Sequence, residues 1–202
     1  MMKQLLLATN NRHKVNELKA LLTGVPVEVV TLEQFPSVSE SVEDQETIEG
    51  NALKKARDVY RQTHVPTLAD DTGLEVDYLN KAPGVYSSRY AGPQATYSDN
   101  CRKLLLELKG LPPRRRGAQF RCVLAFVAAN YEKIVEGVCP GAIIEIFRGK
   151  NGFGYDPLFL PEGYAQTLAE MDSSFKNKLS HRAKAIQNMA PLLTDFFTGP
   201  GT

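Results

Sequence analysis

Residues 3–31, KQLLLATNNRHKVNELKALLTGVPVEVVT, contain the pattern that decides the fold. The apolar run Lys3–Ala8 ends in a polar cluster at residues 9–11, which predicts a buried strand followed by a loop. Between His13 and Leu22 the apolar residues recur at helical spacing, and Val25–Thr31 forms a second strand-like run. Strand, loop, helix and strand in this order predict a βαβ unit and therefore an α/β fold.

The rest of the chain continues to alternate between helical and strand patterns. It predicts a helix from Thr47 to about Thr63, a short strand Val65–Ala69 that breaks at Asp70-Asp71, a serine-capped helix Ser98–Leu108, a hairpin of Ala118–Ala129 and Tyr131–Val138, a strand Ala142–Phe147, and a helix Ser180–Phe197 that Pro191 kinks or ends. The expected architecture is one α/β domain over residues 1–202 with a mixed sheet. The hairpin region is a candidate for a second lobe.

Composition excludes several classes of protein. The 24 basic and 23 acidic residues give a net charge of +1, which argues against binding a nucleic acid polymer or an anionic membrane. The three cysteines lack C-x-x-C spacing, so we expect neither a disulfide framework nor a zinc site. This cysteine pattern fits a protein of the reducing cytoplasm. No apolar stretch is long enough to span a bilayer, and Met1–Ala8 is too short for a signal peptide.

The loop before the first helix is a candidate phosphate site. Backbone N–H groups at a helix N-terminus favour anions, and asparagines tolerate the left-handed conformation of an anion nest. Two of its residues, Arg12 and Lys14, add positive charge. The loop lacks the Walker A pattern, and a polar loop that only caps the helix is an equally good interpretation. Its residues are Thr9, Asn10, Asn11, Arg12, His13 and Lys14.

Two acidic segments are candidates for a cation site. Asp70-Asp71 precedes Thr72-Gly73, and adjacent carboxylates are tolerated when a hard cation or hydrogen bonds neutralise them. The alternative is an Asx turn. An acid before the Thr47 helix could complete the site, although acids there usually complement the helix dipole. These acids are Glu43, Asp44, Glu46 and Glu49.

Two later segments have the chemistry to contact a purine nucleotide. Phe153 lies between glycines, which permits a tight backbone that presents an aromatic face, although a packed β-turn is the alternative. Lys176 precedes Ser180-His181-Arg182 at the start of the last helix. An arginine can pair with the O6 and N7 edge of a 6-oxo purine, and a lysine can bind phosphate.

Together these segments resemble the inosine triphosphate pyrophosphatase family, whose members are also called Ham1-like proteins or XTP/dITP diphosphatases. The matching stretches occur in the family's order: Leu7–Asn10 with Lys14, Thr47–Ala52, Leu68–Leu74, Ala82–Tyr90, Phe153–Pro157 and Ser180–Ala185. The chain departs from the family in two places. Gly50 stands where the family often has glutamate, and Thr72 stands where it often has serine.

The resemblance implies an elongated mixed sheet with flanking helices and a substrate cleft between two lobes. It implies a homodimer, Mg²⁺ as cofactor, and ITP, dITP and XTP as substrates. Asp71 would be the metal-associated base that activates water for attack on the α-phosphorus, and Glu43 the second metal ligand. The stretch Thr9–Lys14 would hold the triphosphate. The remaining substrate contacts would be Thr72, Phe153, Gly154, Tyr155, Asp156, Lys176, His181 and Arg182.

Two alternatives stay open at the level of sequence. One is a Maf-like nucleotide pyrophosphatase, which also acts on triphosphates. The other is a non-catalytic nucleotide-binding or sensor protein, which would bind such nucleotides without releasing pyrophosphate.

Overall fold

The computed structural model describes residues 3–199, and it has the predicted mixed α/β fold. Its strands are β1 (Gln4–Leu7), β2 (Glu28–Thr31), β3 (Thr67–Val76), β4 (Pro83–Gly84), β5 (Gly117–Ala128), β6 (Tyr131–Ile143) and β7 (Phe159–Pro161). Its α-helices are α1 (Arg12–Leu21), α2 (Ile48–Thr63), α3 (Tyr97–Glu107), α4 (Ser173–Leu179) and α5 (His181–Thr198). Met1, Met2 and residues 200–202, which the single-domain prediction includes, lie outside the described residues.

The predicted βαβ unit is confirmed. Strands β1 and β2 pair in parallel, with Gln4 opposite Glu28 and Leu7 opposite Thr31. On its other side β1 pairs in parallel with β3, and the strand order is β2-β1-β3-β5-β6-β7, with β4 joined to β3. Strands β4 and β7 pair antiparallel with β3 and β6, so the sheet is mixed.

The prediction that the third strand breaks at the acidic pair is wrong. Strand β3 runs without interruption through Asp70 and Asp71 to Val76. An acidic pair before glycine normally favours a turn because the side chains bond to the nearby backbone. Here the carboxylates form ion pairs with lysines and an arginine from elsewhere in the chain, so the extended backbone is retained.

Two other boundaries differ from the sequence predictions. Helix α3 is capped by Thr96, whose side chain accepts from the Asp99 amide, and not by Ser98. The predicted strand 142–147 does not form separately, because β6 continues to Ile143. Gly141 permits this continuation, since an added Cβ would lie 2.4 Å from the Leu160 carbonyl oxygen on β7.

The last helical region also differs from its prediction. It contains two helices, because α4 precedes α5 and was missed by the apolar periodicity. Helix α4 has only seven residues, which is too short for that periodicity to be recognised, and Asp172 caps it. Helix α5 continues through Pro191 to Thr198, so the predicted early break does not occur.

The chain divides into two compact units, each with its own apolar core. The first comprises the described parts of Met1–Asp71 and Arg182–Thr202 together with Cys122–Gly137. The second comprises Thr72–Arg121 and Val138–His181. The core of the first includes Leu5, Leu18, Leu124, Phe126 and Met189, and that of the second includes Leu74, Leu104, Phe120, Leu158 and Phe159. That residues 1–202 act as one domain stays a prediction.

Within residues 3–199, no helix is both long enough and apolar enough to cross a bilayer.

Replacing Phe126 by alanine should strongly destabilise the first unit. Its side chain is fully buried and contacts the rings of Tyr131, Phe196 and Phe197. We expect F126A to lower the free energy of unfolding by about 3–5 kcal/mol in a urea titration. The control is L106A at a site that is 71% exposed, where the change should stay within about 0.5 kcal/mol. Equal effects of the two variants would contradict the assignment of this core.

Candidate active site

Lys55 on α2 connects the two acidic segments that the sequence singled out. Its Nζ donates to Glu43 Oε1 at 2.9 Å and to Asp71 Oδ1 at 3.0 Å. It also donates to the backbone carbonyl of Asp70 at 2.7 Å. The Lys55 side chain is only 12% exposed. One ammonium group therefore lies where the loop before α2 meets strand β3.

The surroundings of this group set its charge state. Burial opposes the charge on Lys55, but Asp71, Glu43 and Asp70 outweigh it and raise the pKa of Lys55 above its usual value. Burial raises the pKa of Asp71, and the negative charge of Glu43 acts in the same direction, whereas Lys55 and Lys14 oppose the shift. Lys55 is thus a fixed cation, and Asp71 is a carboxylate whose affinity for a proton is increased.

Asp70 forms a second charged group in the same unit. Its carboxylate is fully buried, and its oxygens contact Lys14 Nζ at 3.2 Å and Arg182 Nη2 at 2.9 Å. Burial alone would raise the pKa of Asp70, but the positive charges of Lys14, Arg182 and Lys55 outweigh it, so the pKa falls below its usual value. Asp70 is therefore a buried anion that holds cations from α1 and α5.

Arg182, for which the sequence predicts a contact with the purine base, is bonded to two carboxylates of the first unit. Its guanidinium is fully buried, donates through Nε and Nη2 to Asp70, and donates through Nη1 to Glu17. In this arrangement Arg182 orders Asp70 and Glu17. Its contact with a substrate stays a prediction.

The loop before α1 folds differently from the predicted anion nest. Among the described residues, neither Asn10 nor Asn11 has a positive φ, and Asn11 has a φ of −76°. Asn11 instead caps α1, because its Oδ1 accepts from the amides of His13 and Lys14, and Thr9 Oγ1 accepts from the Asn11 amide. The nest prediction is therefore wrong. That this loop binds phosphate stays a prediction, and the argument for it now rests on the positive charges of Arg12 and Lys14.

The two cations of the loop lie in different environments. The Arg12 side chain is 88% exposed and lies 4.0 Å from Glu33. The Lys14 side chain is only 16% exposed and contacts Asp70. Lys14 is consequently the cation that is fixed beside the buried carboxylates, whereas Arg12 lies in solvent.

Of the acids before α2, the structure brings Glu43 to Asp71. Asp44 pairs with Lys54, Glu46 is exposed, and Glu49 lies in the first turn of α2. A glutamate at position 50 would not fit without a shift of the backbone, because a Cβ on Gly50 would lie 2.9 Å from the Gln45 Cβ. These contacts agree with the choice of Glu43 as the second acid.

In the second unit the glycine-rich loop forms its own polar group. Gly152 and Gly154 both have positive φ, as the tight backbone requires. Asp156 Oδ2 accepts from the Phe153 amide at 2.9 Å and from Lys176 Nζ at 2.6 Å. Lys176 Nζ also lies 4.9 Å from the centre of the Phe153 ring. The loop therefore holds an aromatic ring beside a lysine that is paired with a buried carboxylate.

The other predicted substrate residues of the second unit have defined partners as well. The Tyr155 hydroxyl donates to the Ser87 carbonyl, and the Gly154 carbonyl accepts from the Cys101 thiol. The His181 ring is buried and stacks on Phe120 at 4.7 Å between ring centres. Thr72 follows Asp71 directly on β3. Their contacts with a substrate stay predictions.

Sequence reasoning missed Lys55. It singled out acids, glycines and the loop before α1, but no lysine on α2. The signal that was available is positional, because Lys55 borders the apolar face formed by Ala52, Ala56 and Val59. A lysine at the border of a buried helical face requires an anionic partner for its charge.

The donor set of the first unit fits Mg²⁺. In residues 3–199 no group of three or more His, Cys, Asp or Glu side chains is arranged to hold a metal ion. Mg²⁺ is usually bound by one or two carboxylates together with water and substrate phosphates. Glu43 and Asp71 supply two carboxylates that both reach the Lys55 ammonium group, so the first unit offers the number and type of ligands that such a site uses.

Comparison with known proteins is consistent with this geometry. The model of the Ham1 family matches residues 5–192. The chain belongs to the Ham1 family. This membership favours the predicted family over the Maf-like alternative, and residues 5–192 include all the charged groups described above.

Several Ham1-family relatives resemble the chain over most of its length. A protein named dITP/XTP pyrophosphatase from Caldanaerobacter subterraneus is 46% identical over 189 residues, which cover 92% of this chain and 93% of the relative. One of the same name from Bacillus licheniformis is 46% identical and covers 95% and 98%. The solved structure of a HAM1 protein from Coxiella burnetii has a TM-score of 0.88 and 40% identity, and covers 96% of this chain and 100% of that one.

Replacing Arg182 by glutamine tests its role in the Ham1-family fold. R182Q leaves Asp70 and Glu17 without the guanidinium, so we expect a loss of about 3–5 kcal/mol in the free energy of unfolding. The matched control is R57Q, because Arg57 forms a two-point ion pair with Glu132 at the surface, where the loss should be about 0–1 kcal/mol. Wild-type stability of R182Q, measured by urea denaturation, would contradict this placement.

Proposed function

We propose that this protein is a nucleoside triphosphate pyrophosphohydrolase that acts on non-standard purine nucleotides. It converts ITP, dITP and XTP to the monophosphate and pyrophosphate, and so removes them from the nucleotide pool. The observation that carries the proposal is the convergence of Glu43 and Asp71 on Lys55 in a Ham1-family chain. Relatives that carry the name dITP/XTP pyrophosphatase support the substrate class.

In this proposal Asp71 is the general base. Burial raises its pKa, which increases its ability to accept a proton from water. The activated water attacks the α-phosphorus, and the bond from that phosphorus to the bridging oxygen breaks in line with the attack. Lys55 holds the Asp71 carboxylate in place through its contact with Oδ1, and the raised pKa of Lys55 keeps this lysine positively charged near neutral pH.

The charge of the leaving pyrophosphate must also be offset. Lys14 is the cation that the structure fixes beside the buried carboxylates, and it is the residue of the loop before α1 best suited to this task. Mg²⁺ held by Glu43 and Asp71 would supply further positive charge to the phosphate oxygens. A fixed arrangement of cations requires no reorganisation when the transition state forms.

Base recognition is proposed for the group in the second unit. Phe153 supplies an aromatic face, and Lys176 supplies a donor that is held by Asp156. A donor favours the acceptor oxygen at position 6 of hypoxanthine and xanthine and disfavours the amino group of adenine. The assignment rests on the resemblance and on these contacts. The predicted contact of Arg182 with the base belongs to the same proposal.

A cytoplasmic homodimer is part of the same proposal. The homodimer rests on the resemblance alone, and light scattering of the purified protein tests it. The cytoplasmic location rests on the cysteine pattern, and within residues 3–199 Cys101, Cys122 and Cys139 form no disulfide.

The direct test is a pyrophosphate-release assay over a panel of nucleotides. We expect rapid release from ITP, dITP and XTP and slow release from ATP, dTTP and UTP. A site that forms hydrogen bonds with one base edge discriminates against a nucleotide with the wrong edge by factors of roughly 10⁴ in kcat/KM. Binding of dITP without pyrophosphate release would instead identify a sensor, and preference for dTTP or UTP would overturn the substrate class.

Substitution of the general base should abolish most turnover without unfolding the protein. D71N cannot accept the proton, and we expect kcat for dITP to fall by roughly 10²–10⁴. K55M should also reduce kcat, because it removes the cation that holds Asp71. The matched control is K19M at an exposed position of α1 that contacts neither carboxylate, and it should retain wild-type turnover. Activity of D71N within a few-fold of wild type would remove Asp71 from this role.

Removal of divalent metal should stop the reaction. Excess chelator should abolish pyrophosphate release, and Mg²⁺ should restore it. Ca²⁺ should restore it poorly, because its larger and looser coordination shell places phosphate oxygens differently. Full activity in excess chelator would contradict the metal assignment to Glu43 and Asp71.

A further inference from the structure

One face of α2 holds the loop that carries Glu43. The loop residues Ser39, Ser41 and Gln45 each bond to a side chain of the helix. The bonds are Ser39 amide to Gln62 Oε1 at 3.0 Å, Ser41 hydroxyl to Asp58 Oδ2 at 2.7 Å, and Gln45 amide to Asn51 Oδ1 at 3.0 Å. The three helix residues are separated by seven and four positions, which places them in one row along the helix.

Lys54 completes this row and contacts the loop on both sides of Glu43. Its Nζ donates to the Val42 carbonyl at 2.8 Å and to Asp44 Oδ1 at 2.7 Å. Val42 and Asp44 are the neighbours of Glu43 in the chain, so a single ammonium group connects the residues before and after it. The Lys54 side chain is 28% exposed, and it approaches the loop from the helix surface.

Adjacent lysines of α2 therefore act on Glu43 in two different ways. Lys55 contacts the Glu43 carboxylate itself at 2.9 Å. Lys54 contacts the flanking backbone and the next side chain, and so restricts the direction in which Glu43 leaves the loop. A long exposed loop without such contacts would sample many backbone conformations, and ordering it would cost conformational entropy.

We propose that Lys54 is a positioning residue for Glu43. It preorganises the acidic loop so that the Glu43 carboxylate is already beside Asp71 when the metal and the nucleotide bind. What Glu43 does once it is positioned rests on the proposed function. Partners that orient a metal ligand commonly determine metal affinity, so loss of Lys54 should weaken metal binding and leave kcat at saturating Mg²⁺ near the wild-type value.

The test compares K54M with K54R and with the control R57M. Arg57 is also a cation of α2, but it pairs with Glu132 and does not contact the loop. In K54M, hydrogen exchange of the Asp44 and Gln45 amides should become about threefold to tenfold faster, which corresponds to the loss of one hydrogen bond. The affinity for Mn²⁺, measured by calorimetry without nucleotide, should fall about tenfold. K54R keeps donors at this position and should restore most of both values, and R57M should change neither.

Several outcomes would overturn the proposal. If only the charge of Lys54 mattered, K54M would bind metal more tightly, because removal of a cation reduces repulsion. Tighter binding would therefore contradict positioning. Unchanged exchange of the loop amides, or faster exchange with unchanged Mn²⁺ affinity, would also contradict it. In an E43Q background K54M should cause no further loss of Mn²⁺ affinity, since the positioned ligand is then absent.

Failure of the proposed function is distinguishable from failure of this inference. If the wild-type protein hydrolyses no dITP, the proposed function is wrong, but the exchange comparison of K54M with R57M still decides whether Lys54 orders the loop. If the wild type hydrolyses dITP and K54M has wild-type exchange and Mg²⁺ dependence, the function stands and the positioning role is wrong.

Discussion

The neutralisation of two adjacent carboxylates on one strand is the constraint on which the site depends. Successive residues of a strand direct their side chains to opposite faces, and Asp70 and Asp71 accordingly take different partners. Asp70 holds Lys14 and Arg182, whereas Asp71 holds Lys55. An unpaired charge at these buried positions would be very costly. The ion pairs therefore allow β3 to continue through the acidic pair, and they fix the helices that supply the cations.

The two carboxylates consequently have different chemical properties. The charges around Asp70 lower its pKa below the usual value, so it remains an anion and serves as a structural anchor. Burial raises the pKa of Asp71, which suits a group that must take up a proton during the reaction. Glu43 reaches the same location from a loop that α2 holds in place. One strand thus supplies the anchor and the proposed base, and one helix supplies the cation that joins Asp71 to Glu43.

Much of the fold and part of the site follow from local sequence patterns. The βαβ opening and the Thr47-capped helix were predictable because periodicity and capping are local signals. The course of β3 was not, since it depends on ion pairs with residues far away in the chain, and the same holds for Lys55 and for the burial of Arg182. Helix α4 was missed because seven residues carry too little periodicity. The candidate residues of the site come from the family resemblance, whereas the partners of those residues within the chain required the structure.

Hydrolysis of dITP in ¹⁸O-labelled water tests the central claim most directly. The account requires water, activated by Asp71, to attack the α-phosphorus, so mass spectrometry should find one ¹⁸O atom in the dIMP product and none in the pyrophosphate. The label should disappear from the product together with turnover in D71N. Incorporation of ¹⁸O into pyrophosphate, or release of orthophosphate in place of pyrophosphate, would show attack at another phosphorus and would contradict the account.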